Sequence, residues 1–178
     1  SVATDITSFS YTDAEPLLRE ALAAIEVRSS KFEALTYISM RQQQREAGRA
    51  VDRDTPSFTV KVEDLVIVYR WLERYAVPET YCQVFFDSIY ATSFLDIFSI
   101  IGSGRGFVIE TPEKSQQKST IMIPITSGKQ VGRATEKPVF TAEERVTALG
   151  RHDAYVVPQG GKFEVDAAKI AEVLIPAV

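Results

Sequence analysis

The sequence predicts a helix-rich α+β fold, with an N-terminal helical bundle over about residues 12–101 packed with two β-hairpins and two short helices over about 106–175. Three observations carry that prediction. Apolar residues recur at helical spacing through most of the first hundred positions. The period shortens towards alternation after Gly102-Ser103-Gly104-Arg105-Gly106. Ser or Thr with Glu three residues later stands before two apolar runs, as at helix starts. A chain of 178 residues, 45% apolar and 25% charged, is long enough to fold as a single domain without disulfides.

Taken in order, Ser1 to Ser10 is polar, aperiodic and expected to be extended. Thr12 or Asp13 caps a first helix, with Pro16 in its first turn and Leu17, Leu18, Ala21, Leu22 and Ile25 on one face. Ser30 and Glu33 form a capping box for a second, ending at Gly48. A polar connection runs from Arg49 to Ser57, followed by a short extended segment at Phe58–Val62 and a helix over Glu63–Tyr75. Pro78 sits at a first helical position, and Glu79 to about Ile101 is expected as the central helix. Gln83, Asp87 and Asp96 interrupt that stretch and argue against a membrane span.

Beyond the glycines, Phe107–Glu110 and Thr120–Ile125 read as a hairpin, and residues 127–138 as a mobile loop. Thr141 and Glu144 form a second capping box, for a helix through Leu149. Gly160-Gly161 reads as the turn of a hairpin between Tyr155–Pro158 and Lys162–Val165. Asp166 caps a last helix.

The charge is unevenly spread. Residues 1–99 carry ten Lys and Arg against fifteen Asp and Glu, whereas 100–162 carry nine against six. The basic middle offers Arg105, Lys114, Lys118, Lys129, Arg133 and Arg151 to a phosphate backbone, although the overall pI of 5.2 is low for a dedicated nucleic-acid module. Leu72 to Val84 resembles a helix-turn-helix in outline, but after the turn it presents Gln83 and then Phe85 and Phe86 where groove-reading side chains are required.

Chemistry-bearing residues are few. The single histidine, His152, reads as a helix-end residue, and the single cysteine, Cys82, as a buried thiol. One Cys and one His cannot build a structural zinc site; carboxylate-only magnesium or calcium sites stay open, without EF-hand loop spacing, and no cofactor is implied. The glycines at 102, 104 and 106 lack the strand-to-helix setting of a phosphate loop, and Gly128-Lys129, followed by Gln130, lacks its upstream glycine spacing and its Ser or Thr. The strand-borne acid followed by Glu-x-Lys of restriction-type metal nucleases is not found. Asp87 and Asp96 are expected on one helical face, where a raised-pKa acid would support hydrolysis.

An aromatic band including Tyr69, Trp71, Tyr75, Phe85, Phe86 and Tyr90 exceeds what one helical hairpin buries. These features favour a non-enzymatic binding or assembly module that self-associates through its aromatic helices. The alternatives are a nucleic-acid-binding protein using basic loops of residues 105–151, and a carboxylate-based hydrolase. The lone cysteine and the lack of a leader-like start point to a cytoplasmic, intracellular protein.

Overall fold

A computed structural model describes residues 4–111, 119–146, 150 and 152–174. The architecture is mixed α/β and rich in strands. A five-stranded sheet has the order β1 (Ala24–Ser29), β3 (Glu79–Val84), β4 (Ser88–Ser93), β7 (Lys129–Glu136), β10 (Lys162–Val165). The β1–β3 pair is parallel and every later pair is antiparallel. A second sheet joins β2 (Ser57–Lys61), β6 (Thr120–Pro124) and β5 (Val108–Glu110), and a two-stranded ribbon pairs β8 (Val139–Val146) with β9 (His152–Gln159). The helices are α1 (Tyr11–Leu18), α2 (Ala34–Glu46), α3 (Val62–Tyr75), α4 (Phe94–Gly102) and α5 (Ala167–Leu174). Among the described residues, no helix is long and apolar enough to cross a membrane.

This arrangement corrects the helix-rich expectation. Residues expected as a central helix from Glu79 form the β3–β4 hairpin, and only Phe94–Gly102 is helical. The hairpin lies in the middle of the main sheet and is covered on both faces, so its apolar residues do not alternate. On one face Tyr81, Phe85, Tyr90 and Phe94 join Phe58, Val60, Ile121 and Ile123 of the second sheet. On the other, Ala91 and Val131 pack with Val173 of α5.

Residues 24–29, expected at the end of the first helix, form β1 with alternating burial. The expected loop at 127–138 is largely β7. Its Gly132 is closely approached: a Cβ there would lie 3.1 Å from the Ile89 side chain and 3.3 Å from the Glu164 carbonyl. The Thr141–Glu144 pattern lies within β8, and residues 147–149 fall outside the described part. Gly160 and Gly161 do turn the chain with positive φ, but they lead from the ribbon into the main sheet, because β9 pairs with β8 and β10 with β7.

Elements whose signals are local stand where expected. The helix anticipated over 63–75 is α3, closed by Ala76 at φ 53. Phe107–Glu110 and Thr120–Ile125 contribute β5 and β6, which pair antiparallel. Asp166 accepts from the Lys169 amide at the start of α5.

Candidate active site

The parallel pairing of β1 with β3 sets Ala24 opposite Glu79, Glu26 opposite Tyr81 and Arg28 opposite Gln83. Alternate residues of neighbouring strands share a face, so Glu26, Arg28 and Glu79, all partly exposed, stand on the same side as Tyr81 and Gln83, which are buried in the core. Asp64, in the first turn of α3, completes the group. Arg28 bridges the acids, with Nε donating to Glu26 Oε1 at 2.5 Å and Nη2 donating to Asp64 Oδ2 at 2.9 Å. These two bonds leave the guanidinium further N–H donors.

Glu79 is the perturbed member. Burial, and then repulsion from Glu26, push its carboxyl up from 4.5 to about 7. Such a group exchanges a proton near neutrality, the property required of a general base or acid. Beside it, the Tyr81 hydroxyl donates to the Thr59 carbonyl at 2.8 Å, and burial pushes it up to about 12, so it remains a neutral phenol. Gln83 is buried and donates to Ser30 Oγ at 2.9 Å. The face thus combines a near-neutral carboxyl, two further carboxylates and an arginine.

The acids singled out from sequence lie elsewhere. Asp87 occupies the turn between β3 and β4, where its carboxylate accepts from the amides of Ala34, Leu35 and Thr36 at 2.9, 2.8 and 3.4 Å. It therefore caps α2 from outside. Ser30, expected to open the helix in a capping box with Glu33, lies before it: the N-cap is Glu33, whose carboxylate makes no cap bond and pairs with Lys137 at 2.7 Å. Asp96 sits in the first turn of α4 and accepts from Ser93 Oγ at 2.7 Å. With one acid in a turn and the other in a helix, the shared helical face does not exist.

Cys82 faces the α5 side of the sheet, where burial pushes its thiol up to about 11. His152 is on β9 rather than at a helix end, 2.6 Å from Glu144.

The aromatic band is divided among several packing roles. Phe85 and Tyr90 are buried core, and Phe86 stacks on Phe140 at 3.9 Å. Trp71 packs on Tyr75 at 4.8 Å, and exposed Tyr69 meets Phe98 edge-on at 6.0 Å. Of the basic residues, Arg105 lies on the loop after α4, whereas Lys129 and Arg133 lie on β7, with Lys129 paired to Glu172 at 2.5 Å. Lys114, Lys118 and Arg151 lie outside the described residues.

Sequence reasoning missed the β1–β3 face because β1 was read as helix. The available signal was the alternation Ala24-Ile25-Glu26-Val27-Arg28-Ser29, a period-2 pattern with charges on one face.

Comparison with known proteins supplies the class. Residues 38–175 match the family described as AccI restriction endonuclease, a span of 138 of the 178 positions. No curated protein and no solved structure matches. The family match overturns the expectation of a non-enzymatic assembly module and favours the nucleic-acid alternative. Asp64, Glu79 and Tyr81 lie within the matched span, while Glu26 and Arg28 precede it.

Proposed function

We propose that this chain, which belongs to the AccI restriction endonuclease family, binds duplex DNA and hydrolyses its phosphodiester bonds at the β1–β3 face. The observation that carries the reading is the family match, and the near-neutral Glu79 in its interior gives it a chemical locus. In this scheme the ionised Glu79 takes the proton of the attacking water as its oxygen bonds to phosphorus, the bond from phosphorus to the leaving sugar oxygen breaks, and that oxygen takes a proton from solvent, while Arg28 offers its remaining donors to a non-bridging phosphate oxygen. Arg28 is held in place by Glu26 and Asp64, so its planar fork is already oriented when the backbone arrives.

Many nucleases clamp the attacking and leaving oxygens with divalent ions. The donors here do not fit such a centre: Glu26 and Asp64 each commit an oxygen to Arg28, and among the described residues no three His, Cys, Asp or Glu side chains are grouped to hold a metal. The scheme accordingly runs through the protein's own groups. Cutting both strands calls for two such faces, so the proposal extends to two copies on one duplex. A linear product that forms with second-order dependence on protein concentration would support that extension, and first-order dependence would remove it.

The test is supercoiled plasmid incubated with the wild-type chain and with Glu79→Gln, with magnesium and with chelator. Nicked and linear products from the wild type only are expected. Failure of the wild type to cut in every condition, or equal cutting by both proteins, overturns the proposal.

A further inference from the structure

The helix that follows the edge strand β1 is anchored at one end. Its first turn is fixed: Ala34 is fully buried, Asp87 holds three amides, and Ile38 packs on the core. After Ile38 every α2 residue except Arg41 and Gln44 is exposed, and those two are only partly covered. At 13 residues the helix is about 20 Å long, and its second half is largely exposed, tied to the segment that follows it by the Arg45–Asp54 pair at 2.5 Å.

That half reads Ser39-Met40-Arg41-Gln42-Gln43-Gln44-Arg45, with no acid before Glu46. Thr36, Ser39 and Gln43 follow the i, i+3, i+7 spacing of one outward ridge. Between residues 36 and 50 the balance is three arginines against one glutamate, in a protein whose net charge is −4. The Arg41 guanidinium lies over the Tyr37 ring at 4.9 Å, and its Nε is buried without an acceptor.

We infer that α2 is the helix that reads DNA sequence, lying in the major groove with Gln42 and Gln43 against base edges and Arg49 on phosphates, while Arg45 is held by Asp54 at 2.5 Å. The inference rests on the nuclease reading and deepens it. Long amide side chains offer a donor and an acceptor together, which is the match for an adenine edge. The major groove is about 12 Å wide and admits an α-helix. The position is also consistent with a single bound duplex. Backbone bonds Ser30 N to Val84 O and Phe86 N to Phe32 O place the start of α2 at the C-terminal ends of β1 and β3. Glu79 opens β3 at the other end. A six-residue strand spans about 20 Å, or roughly half a turn of duplex.

The experiment is binding-site selection from a duplex library randomised across one helical turn, followed by competition titrations at two salt concentrations. The proteins are the wild type, the double variant Gln42→Ala/Gln43→Ala, and Arg49→Ala. The wild type is expected to select a preferred sequence. The glutamine variant should lose about tenfold of its preference over mixed duplex, within the range for one bidentate base contact. Arg49→Ala should weaken binding to all sequences together and lower the salt slope by about one. A glutamine variant that keeps the full preference overturns the inference. So does a wild type that cuts DNA without preference, an outcome that leaves the nuclease reading standing. A wild type that neither binds nor cuts overturns both.

Discussion

Replacing Glu79 by glutamine should abolish cleavage and, at alkaline pH, make the protein more stable. The folded state holds the Glu79 proton up to about pH 7, whereas the unfolded chain releases it near 4.5. Between those values the folded state binds more protons. Its stability is therefore greatest below the lower value and declines as pH rises through the higher one. At about 1.4 kcal/mol per pH unit, the full rise corresponds to about 3 kcal/mol. Glu79 is only partly buried and water screens it, so about half of that, roughly 1.5 kcal/mol, is the effect to expect.

Glutamine keeps the shape without the charge, and the decline should vanish with it. The assay is urea unfolding followed by the fluorescence of Trp71, the single tryptophan, at pH 5 and pH 8. The variant should gain at pH 8 and differ little at pH 5. In parallel, wild-type cleavage should rise with pH through about 7, and the variant's should be absent. A variant no more stable than the wild type at pH 8, or one that still cuts, would refute the assignment of Glu79 as a strained catalytic carboxyl.

Other outcomes follow from the same contacts. Arg28→Ala leaves Glu26 uncompensated beside Glu79, so the pH midpoint of cleavage should move upward and the rate at pH 7 fall at least tenfold. Its stability should change by about 1 kcal/mol or less, because the ion pairs are half-exposed; an unmoved pH midpoint would contradict the coupling of these groups. Asp87→Ala strips three amides of α2 of their acceptor and should cost about 1–3 kcal/mol in urea unfolding. Gly128→Ala would put a Cβ 2.5 Å from the Ala91 carbonyl and 2.8 Å from the Phe58 ring, both buried. A loss of about 2–4 kcal/mol is expected, seen as a fall in Tm of roughly 5–15 °C.

What could be read from the sequence was what is encoded locally. The α3 face, the α5 cap and the β6 alternation each depend on residues within one element, and each is found. The stretch from Thr80 to Ser93 was misread because the strands it forms are buried on both sides and so lack a period. Its composition still pointed to strands, through Thr80, Tyr81, Val84, Ile89, Tyr90 and Thr92. The capping-box pattern at Thr141 failed for a related reason. Two residues three apart are weak testimony when eight consecutive residues can pair with His152–Gln159. The site itself arises from pairing residues more than fifty positions apart, Glu26 beside Tyr81 and Arg28 beside Gln83. No local pattern announces that juxtaposition, and the Asp87–Asp96 spacing suggested a different one.

The location of the charged face also follows from the packing. Charges are tolerated in a sheet where covering layers thin out, and β1 is the edge strand, with Ile25 and Val27 exposed on the face opposite Glu26 and Arg28. Glu79 lies one strand further in, where burial raises its pKa without the full cost of a core position. The same edge strand leads within a few residues into α2, which Asp87 pins to the far end of the β3–β4 hairpin. One short stretch thus ties Arg28, in the face proposed to do the chemistry, to the helix proposed to read sequence, through a rigid hairpin rather than a flexible linker. Displacement of α2 on the duplex is then transmitted to the Arg28 edge, so loosening the Asp87 cap should reduce cutting at preferred sites more than it reduces binding to mixed DNA.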